Sequence, residues 1–164
     1  MKPKICSDQL MNADEKIKHL GIELPPRPKA AGLYKPLLID GDLAYFSGHL
    51  PLGYDGKLIT GCVSVDLTLE EAGNAARITG LNILATLQAE LGSLNRVKQV
   101  VKTLGMVCAP ETFSQHPQVI NGCSELFRDI WGEENGVGVR SAFGVSALPA
   151  RACVEIEGIF KLRA

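Results

Sequence analysis

The chain lacks most of the patterns by which catalysts are recognised. It has no G-x-S-x-G elbow, no P-loop and no glycine fingerprint of a dinucleotide fold. Its three histidines, His19, His49 and His116, are far apart and form no H-x-x-x-H or H-E-x-x-H pair, so a metal site has little support. The five cysteines, Cys6, Cys62, Cys108, Cys123 and Cys153, are odd in number and never fall in a C-x-x-C spacing. Cys108, Cys123 and Cys153 lie within apolar stretches. The expectation is reduced, buried thiols in a cytoplasmic protein, not disulfides or zinc ligands. No apolar run approaches the roughly 18 residues of a membrane span. The stretch Met1 to Lys18 is polar, with no signal-peptide core, and Asp8, Asp14 and Glu15 break the acid-poor rule of transit peptides. An excess of charge is missing too. Seventeen basic and 18 acidic residues give a net charge of −1, which counts against a nucleic-acid partner, since such binders carry a basic face.

What is present fits one globular domain. The length of 164 residues, 46% of them apolar and 21% charged, can bury a real core. Residues 1–31 read as an arm laid over the rest, with a short helix from Asp8 to Leu20 and then the extended Pro25-Pro26-Arg27-Pro28. Residues 32–164 form the domain proper. Leu37–Ile39 and Leu43–Phe46 flank Asp40-Gly41-Asp42, a hairpin signal. A turn at Gly53 to Gly56 and a short strand at Lys57–Thr60 follow. Thr68-Leu69-Glu70-Glu71 is a capping box that opens a helix to Leu91, stopped by Gly92. Its apolar face runs through Ala72, Ala76, Gly80, Ile83 and Leu87, and the small residues predict close packing on a sheet. Val97–Cys108 reads as a buried central strand. Pro117–Trp131 reads as a second amphipathic helix ended by Gly132. Two strands, joined through Leu148-Pro149, close the chain. Strands alternating with two helices predict an α+β fold, a mixed sheet with both helices on one face. The other face, apolar in several strands, is then left open, and association of copies is the simplest way to cover it.

Two charges stand out in this frame. Arg140 begins an apolar strand, Val139-Arg140-Ser141-Ala142-Phe143, and an arginine presents a planar fork suited to a carboxylate. Glu155 sits in Val154-Glu155-Ile156-Glu157, where it could orient or activate water. If the last two strands form a hairpin, Arg140 falls opposite Glu155. Tyr34, just before the first strand, and Ser47-Gly48, at the end of the second, offer a phenol, a hydroxyl and unhindered backbone; taken alone, these read more readily as structural residues, Arg140 as a strand-edge arginine, and Glu155 with Glu157 as solvated glutamates. Asn121 falls on the helix face opposite the apolar stripe, toward solvent or a neighbouring copy. Cys123 and Cys153 read as core residues, with no histidine nearby to activate them.

With these residues in view, the chain resembles the Rid/YjgF family, the reactive intermediate deaminases once described as endoribonuclease L-PSP or translation inhibitors. The resemblance runs from about Gly32 to Phe160. It is carried by Tyr34, Tyr45-Phe46-Ser47-Gly48-His49-Leu50-Pro51, Asn82-Ile83-Leu84-Ala85, Leu91 to Val97, Val101-Lys102-Thr103, Arg140-Ser141, Leu148-Pro149 and Val154-Glu155-Ile156-Glu157. It implies a chorismate-mutase-like (YjgF-like) fold and a homotrimer with ligand clefts between subunits. It also implies hydrolysis of 2-aminoacrylate-type enamines and imines to 2-oxo acids and ammonia, with no metal or organic cofactor. Arg140 matches the arginine that grips the substrate carboxylate, and Glu155 the acid that orients water. Tyr34, Ser47, Gly48 and Asn121 match pocket positions. One departure is Ala142, where typical short members have cysteine or threonine; the extended arm through Pro25-Pro26, the Gly32-Leu33-Tyr34 entry and Val119-Ile120-Asn121-Gly122 resemble a longer branch of the family. The alternatives are a regulatory module that binds a small carboxylate without turnover, and the ribonuclease or translation-inhibiting activity of the older names.

Overall fold

The computed structural model describes residues 11–164. Cys6 and the expected first turn of the arm helix lie outside them. Within them the arm forms α1 (Ala13–His19), capped by Asn12, whose side chain accepts from the Glu15 amide while Glu15 answers the Asn12 amide. Asp14 ties α1 to the body. Its carboxylate accepts from Ser93 Oγ, the Leu94 amide and Asn95 Nδ2. The strands and helices that follow are β1 (Leu37–Asp40), β2 (Leu43–His49), α2 (Leu69–Leu91), β3 (Val97–Cys108), α3 (His116–Gly136), β4 (Val139–Val145) and β5 (Val154–Leu162).

The five strands form one sheet in the order β1-β2-β5-β3-β4. All neighbours are antiparallel except β3 and β4, which are parallel. The parallel pair has a local cause: α3 carries the chain back along the sheet between them, as a parallel connection requires. The core lies between the sheet and the two long helices. Ala44, Phe46, Val100, Val107, Val154, Ile156 and Phe160 are buried from the sheet, and Ile83, Leu84, Leu87, Val119, Ile120, Leu126 and Phe127 from α2 and α3. Phe160 sits at the centre of an aromatic group, with ring centroids at 5.0 Å from Phe46, 5.4 Å from Phe127 and 5.5 Å from Trp131.

The fold is the expected α+β arrangement, with the opposite sheet face open. Strand alternation places Leu38, Tyr45, Ile159, Leu104, Met106 and Phe143 there, together with Glu155, Glu157 and Lys102. Phe143 is 43% exposed and Leu38 49%. No helix among the described residues is long and apolar enough to cross a membrane.

Four expectations change. Lys57–Thr60 makes no strand; it closes two isolated bridges, Leu58 with Leu52 and Thr60 with Ala152. Gly132 does break the second helix (φ 80°, ψ 172°), but helix resumes to Gly136. The small residues of α2 admit α3 more than the sheet: a Cβ at Gly80 would meet Leu126 and Cys123, and one at Gly122 would overlap the Gly73 carbonyl. Gly122→Ala is therefore expected to cost about 1–3 kcal/mol by overpacking and to lower the melting temperature by roughly 2–12 °C. Thermal unfolding of the purified variant checks this. The fourth change concerns the last two strands. They do not form a hairpin, because the Ser146–Cys153 connection carries the chain past β3, which lies between β4 and β5. Arg140 pairs with Thr103 and Glu155 with Met106.

Of the four cysteines described, all free, Cys123 and Cys153 are buried and Cys62 and Cys108 half-buried. Burial raises the Cys123 thiol far above its ordinary value and the Cys153 thiol to about 11. Both are core groups that stay protonated near neutrality.

Candidate functional site

The six residues singled out from the sequence fall into two groups on opposite faces of the sheet. The first is at the β4 edge on the helix side. Arg140 pairs with Thr103, a buried residue, and so shares its face. The guanidinium reaches across to α3, where Nη1 donates to Asn121 Oδ1 at 2.8 Å and to Ser124 Oγ at 3.0 Å. On the polar side of α3, Asn121 meets Arg140 of its own chain at the rim of an open cavity. Its position beside the apolar stripe brings it over the sheet edge, where β4 supplies a partner. Ser124 went unnoticed in the sequence. Its i, i+3 spacing from Asn121 on one helix face was the available signal. The three side chains line a cavity of about 390 Å3. Both bonds use Nη1, so the remaining donors of the fork are open to a carboxylate.

Ala142, two residues on, shares the face of Arg140, is half-buried and pairs with Gly105. A Cβ at Gly105 would run into Ile120. On this face β4 adds no further polar side chain beside the arginine, and Thr103, Glu125, Arg128 and Glu133 complete the polar part of the cavity lining.

The second group lies on the open face. A β-bulge shifts the β2–β5 register between Phe46 and His49, which sets Ser47 and Gly48 where pairing lapses. Glu155 lies against Gly48 so closely that a Cβ there would overlap its carboxylate. A side chain at this position would push the Glu155 carboxyl aside, so it is close approach, not backbone conformation, that favours glycine. Glu155 is half-buried. Burial first, and the neighbouring charge of Glu157 second, hold its carboxyl above the usual carboxylate range. A carboxyl so placed is easily protonated and released, as a proton-transfer group must be. Ser47 Oγ donates to the Lys35 carbonyl at 2.6 Å, and Tyr34 Oη accepts from the Ala31 amide at 3.3 Å. Tyr34, Ser47 and Glu157 line an open depression of about 500 Å3.

His49 closes the bulge from beneath. It is buried, with Nδ1 at 2.7 Å from the Ser47 carbonyl and Nε2 at 2.8 Å from Thr86 Oγ1. The carbonyl only accepts, so Nδ1 carries the hydrogen. Burial lowers the imidazole below its ordinary value, which favours the neutral ring; Nε2 then accepts the single hydroxyl hydrogen of Thr86, for which the Asn82 carbonyl at 3.1 Å competes. It is a fixed strut, not an acid or base.

The groups are far apart within one chain. Arg140 lies in the row Arg140–Thr103–Gly158, and Glu155 in the row Glu155–Met106–Phe143. Three residues along and two strands across put their Cα atoms about 14 Å apart, and the side chains leave opposite faces. No small molecule touches both in a single chain.

This sheet, with its two long helices on one side and these rows of residues on β2, β4 and β5, defines a chorismate-mutase-like α+β protein. Residues 14–156 match the family described as "YjgF/chorismate mutase-like, putative endoribonuclease", and the chain belongs to that family. Protein TCP17 of Trypanosoma cruzi is 37% identical over 146 residues, 89% of this chain and 91% of its own length. A protein of Shewanella oneidensis, also called a "putative endoribonuclease", has a structure similar to 93% of this chain and 100% of its own, with a TM-score of 0.87 and 29% identity. RidA of an Antarctic Psychrobacter is 29% identical, with a TM-score of 0.58 over 83% of this chain and 94% of its own.

Proposed function

We propose that this protein is a hydrolytic deaminase of reactive enamine and imine intermediates of the 2-aminoacrylate type, working as a homotrimer. The observation that carries this reading is the separation of Arg140 from Glu155. A neighbouring copy set against the open sheet face would bring its own arginine group to this chain's Glu155 group. In that cleft Arg140 of the partner subunit grips the substrate carboxylate, steadied by Asn121 and Ser124 from the same partner. Glu155 takes a proton from water as the oxygen attacks the imine carbon. That proton passes to the imine nitrogen to give a carbinolamine. Glu155 then takes the hydroxyl proton and returns it to the nitrogen as the C=O forms and the C–N bond breaks, so a 2-oxo acid and ammonia leave. Ser47, Gly48 and Tyr34 shape the wall on the Glu155 side. An imine is already electrophilic, so positioning and one proton-transfer group suffice, without metal or organic cofactor.

The test is a coupled assay with threonine or serine dehydratase, whose product passes through the enamine. Added protein should speed release of 2-oxobutyrate or pyruvate in proportion to its concentration. No acceleration at stoichiometric amounts overturns the reading. A second reading, retention of a small carboxylate without turnover, is favoured by Ala142, which puts no polar side chain beside the arginine. It predicts thermal stabilisation by 2-oxo acids with no acceleration. The near-neutral charge and the engaged state of His49 give ribonuclease chemistry no support.

A further inference from the structure

One buried side chain beside Arg140 takes no part in the proposed reaction. The residues buried along β3 are Val97, Val100, Thr103, Gly105 and Val107, and only Thr103 among them has a polar side chain. Valine suits a central strand at least as well, so strand formation does not account for the hydroxyl. A bulge against β5 between Val100 and Lys102 keeps Val100 and Thr103 on one face although they are three residues apart. Both line the cavity of about 390 Å3 that holds Arg140. The Thr103 backbone is enclosed in the sheet, between Arg140 of β4 and Gly158 of β5. Its side chain is therefore the part that reaches the cavity.

Thr103 is 4% exposed, and its hydroxyl has no hydrogen-bond partner among the described residues. A buried hydroxyl is normally bonded, because an unpaired one gives up water for nothing. Among the described residues, Asn82 Oδ1 is the one buried side-chain oxygen that is both unpaired and sealed. Thr103 Oγ1 is unpaired without being sealed, so it opens onto the cavity. Arg140 stands on the neighbouring strand, its Cα about 4.8 Å away across the ladder, with Nη1 spent on α3 and its other donors open. Arg128, at the same cavity, is engaged with Asp129 at 3.5 Å and Glu133 at 3.9 Å. The open donors of Arg140 and the idle hydroxyl of Thr103 thus share one space. A carboxylate, with two oxygens and about four lone-pair sites, can accept from both.

We infer that Thr103 is a ligand-binding residue, whose hydroxyl donates to the carboxylate that Arg140 grips. This rests on the proposed reading, in which Arg140 holds the carboxylate of an imine or 2-oxo acid. The experiment measures calorimetric affinity for 2-oxobutyrate, and thermal unfolding without ligand, for the full-length wild type, Thr103→Val and Thr103→Ser. Valine keeps the shape and removes the hydroxyl; serine keeps the hydroxyl. Thr103→Val should weaken binding about tenfold or more, as the loss of a hydrogen bond to a charged group does, and Thr103→Ser should stay within about threefold of the wild type. Without ligand, Thr103→Val should melt no lower than the wild type, because an unpaired hydroxyl leaves the interior. Equal affinity in Thr103→Val and the wild type overturns the inference. A lower melting temperature in Thr103→Val, with Thr103→Ser binding as weakly, also overturns it, since the hydroxyl is then structural. The dehydratase-coupled assay separates the two claims. A wild type that binds 2-oxobutyrate without accelerating the reaction overturns the deaminase reading, and Thr103 is judged on affinity alone. Where the wild type accelerates the reaction but binds its product too weakly to measure, the same comparison of variants is read on the acceleration. A wild type that neither binds nor accelerates overturns both.

Discussion

Arg140→Ala should abolish most of the acceleration in the dehydratase-coupled assay while leaving the protein folded. The guanidinium is exposed at the β4 edge and its two bonds go to side chains that can turn to water, so stability should change by no more than about 1 kcal/mol. Losing the partner of a bound carboxylate is different, because the ligand then surrenders its hydration for nothing. The cost should be about 2–4 kcal/mol, a roughly 30- to 1000-fold fall in kcat/KM. Arg140→Lys should recover only part of it, since an ammonium keeps the charge but not the planar fork. Full activity in Arg140→Ala would remove the arginine from the site. Unfolding would be detected by circular dichroism and would move the question to Arg140→Gln.

Glu155→Gln should have an effect as large and of a different kind. The amide fills the same space against Gly48 but cannot take a proton. General acid–base groups are worth about 10²- to 10⁴-fold, and the loss should fall on kcat with substrate binding retained. The pH profile carries a finer signature. Burial and Glu157 both raise the Glu155 carboxyl, so the ionised base is lost, and the rate falls, at a pH above the ordinary carboxylate range. Glu157→Gln removes the repulsion and leaves the burial. The acid limb of the profile should then move to lower pH, because the carboxylate stays ionised further into acid. A shift in the opposite direction, or an unaltered limb, would contradict the assignment of that limb to Glu155.

The sequence made the layers of this fold legible because its signals are strong and local. Thr68 and Gly92 bracket α2 as their chemistry dictates, and the alternation of strands and helices gives the mixed sheet with one open face. Strand order was not legible. Val139–Val145 and Val154–Leu162 look like successive hairpin strands, yet β4 finds its partner in β3, twelve residues long and nearly continuous in apolar character, and β5 slots in on the other side of β3. Nothing local distinguishes the two pairings, since both bury the same apolar faces. The error mattered for the site. It set Arg140 against Glu155 in one chain, where the sheet holds them on opposite faces. For Asn121 the structure adds a partner, Arg140, because helix periodicity tells which face is apolar but not which strand edge lies beside the polar one. Gly48 was singled out for its backbone, and the structure adds the cause, the carboxylate of Glu155 resting on it.

The central claim, that the site is completed by a neighbouring copy, is tested most directly by complementation between two inactive chains. Arg140→Ala and Glu155→Gln subunits are unfolded together, refolded as a mixture and assayed beside each variant treated alone. In a closed ring each cleft takes Arg140 from one subunit and Glu155 from the next, so random mixing restores about a quarter of the clefts to wild-type composition. The account predicts activity near a quarter of the wild-type value from two chains that are each nearly inactive. A mixture no more active than its components, with size-exclusion chromatography showing that mixed oligomers have formed, would contradict it.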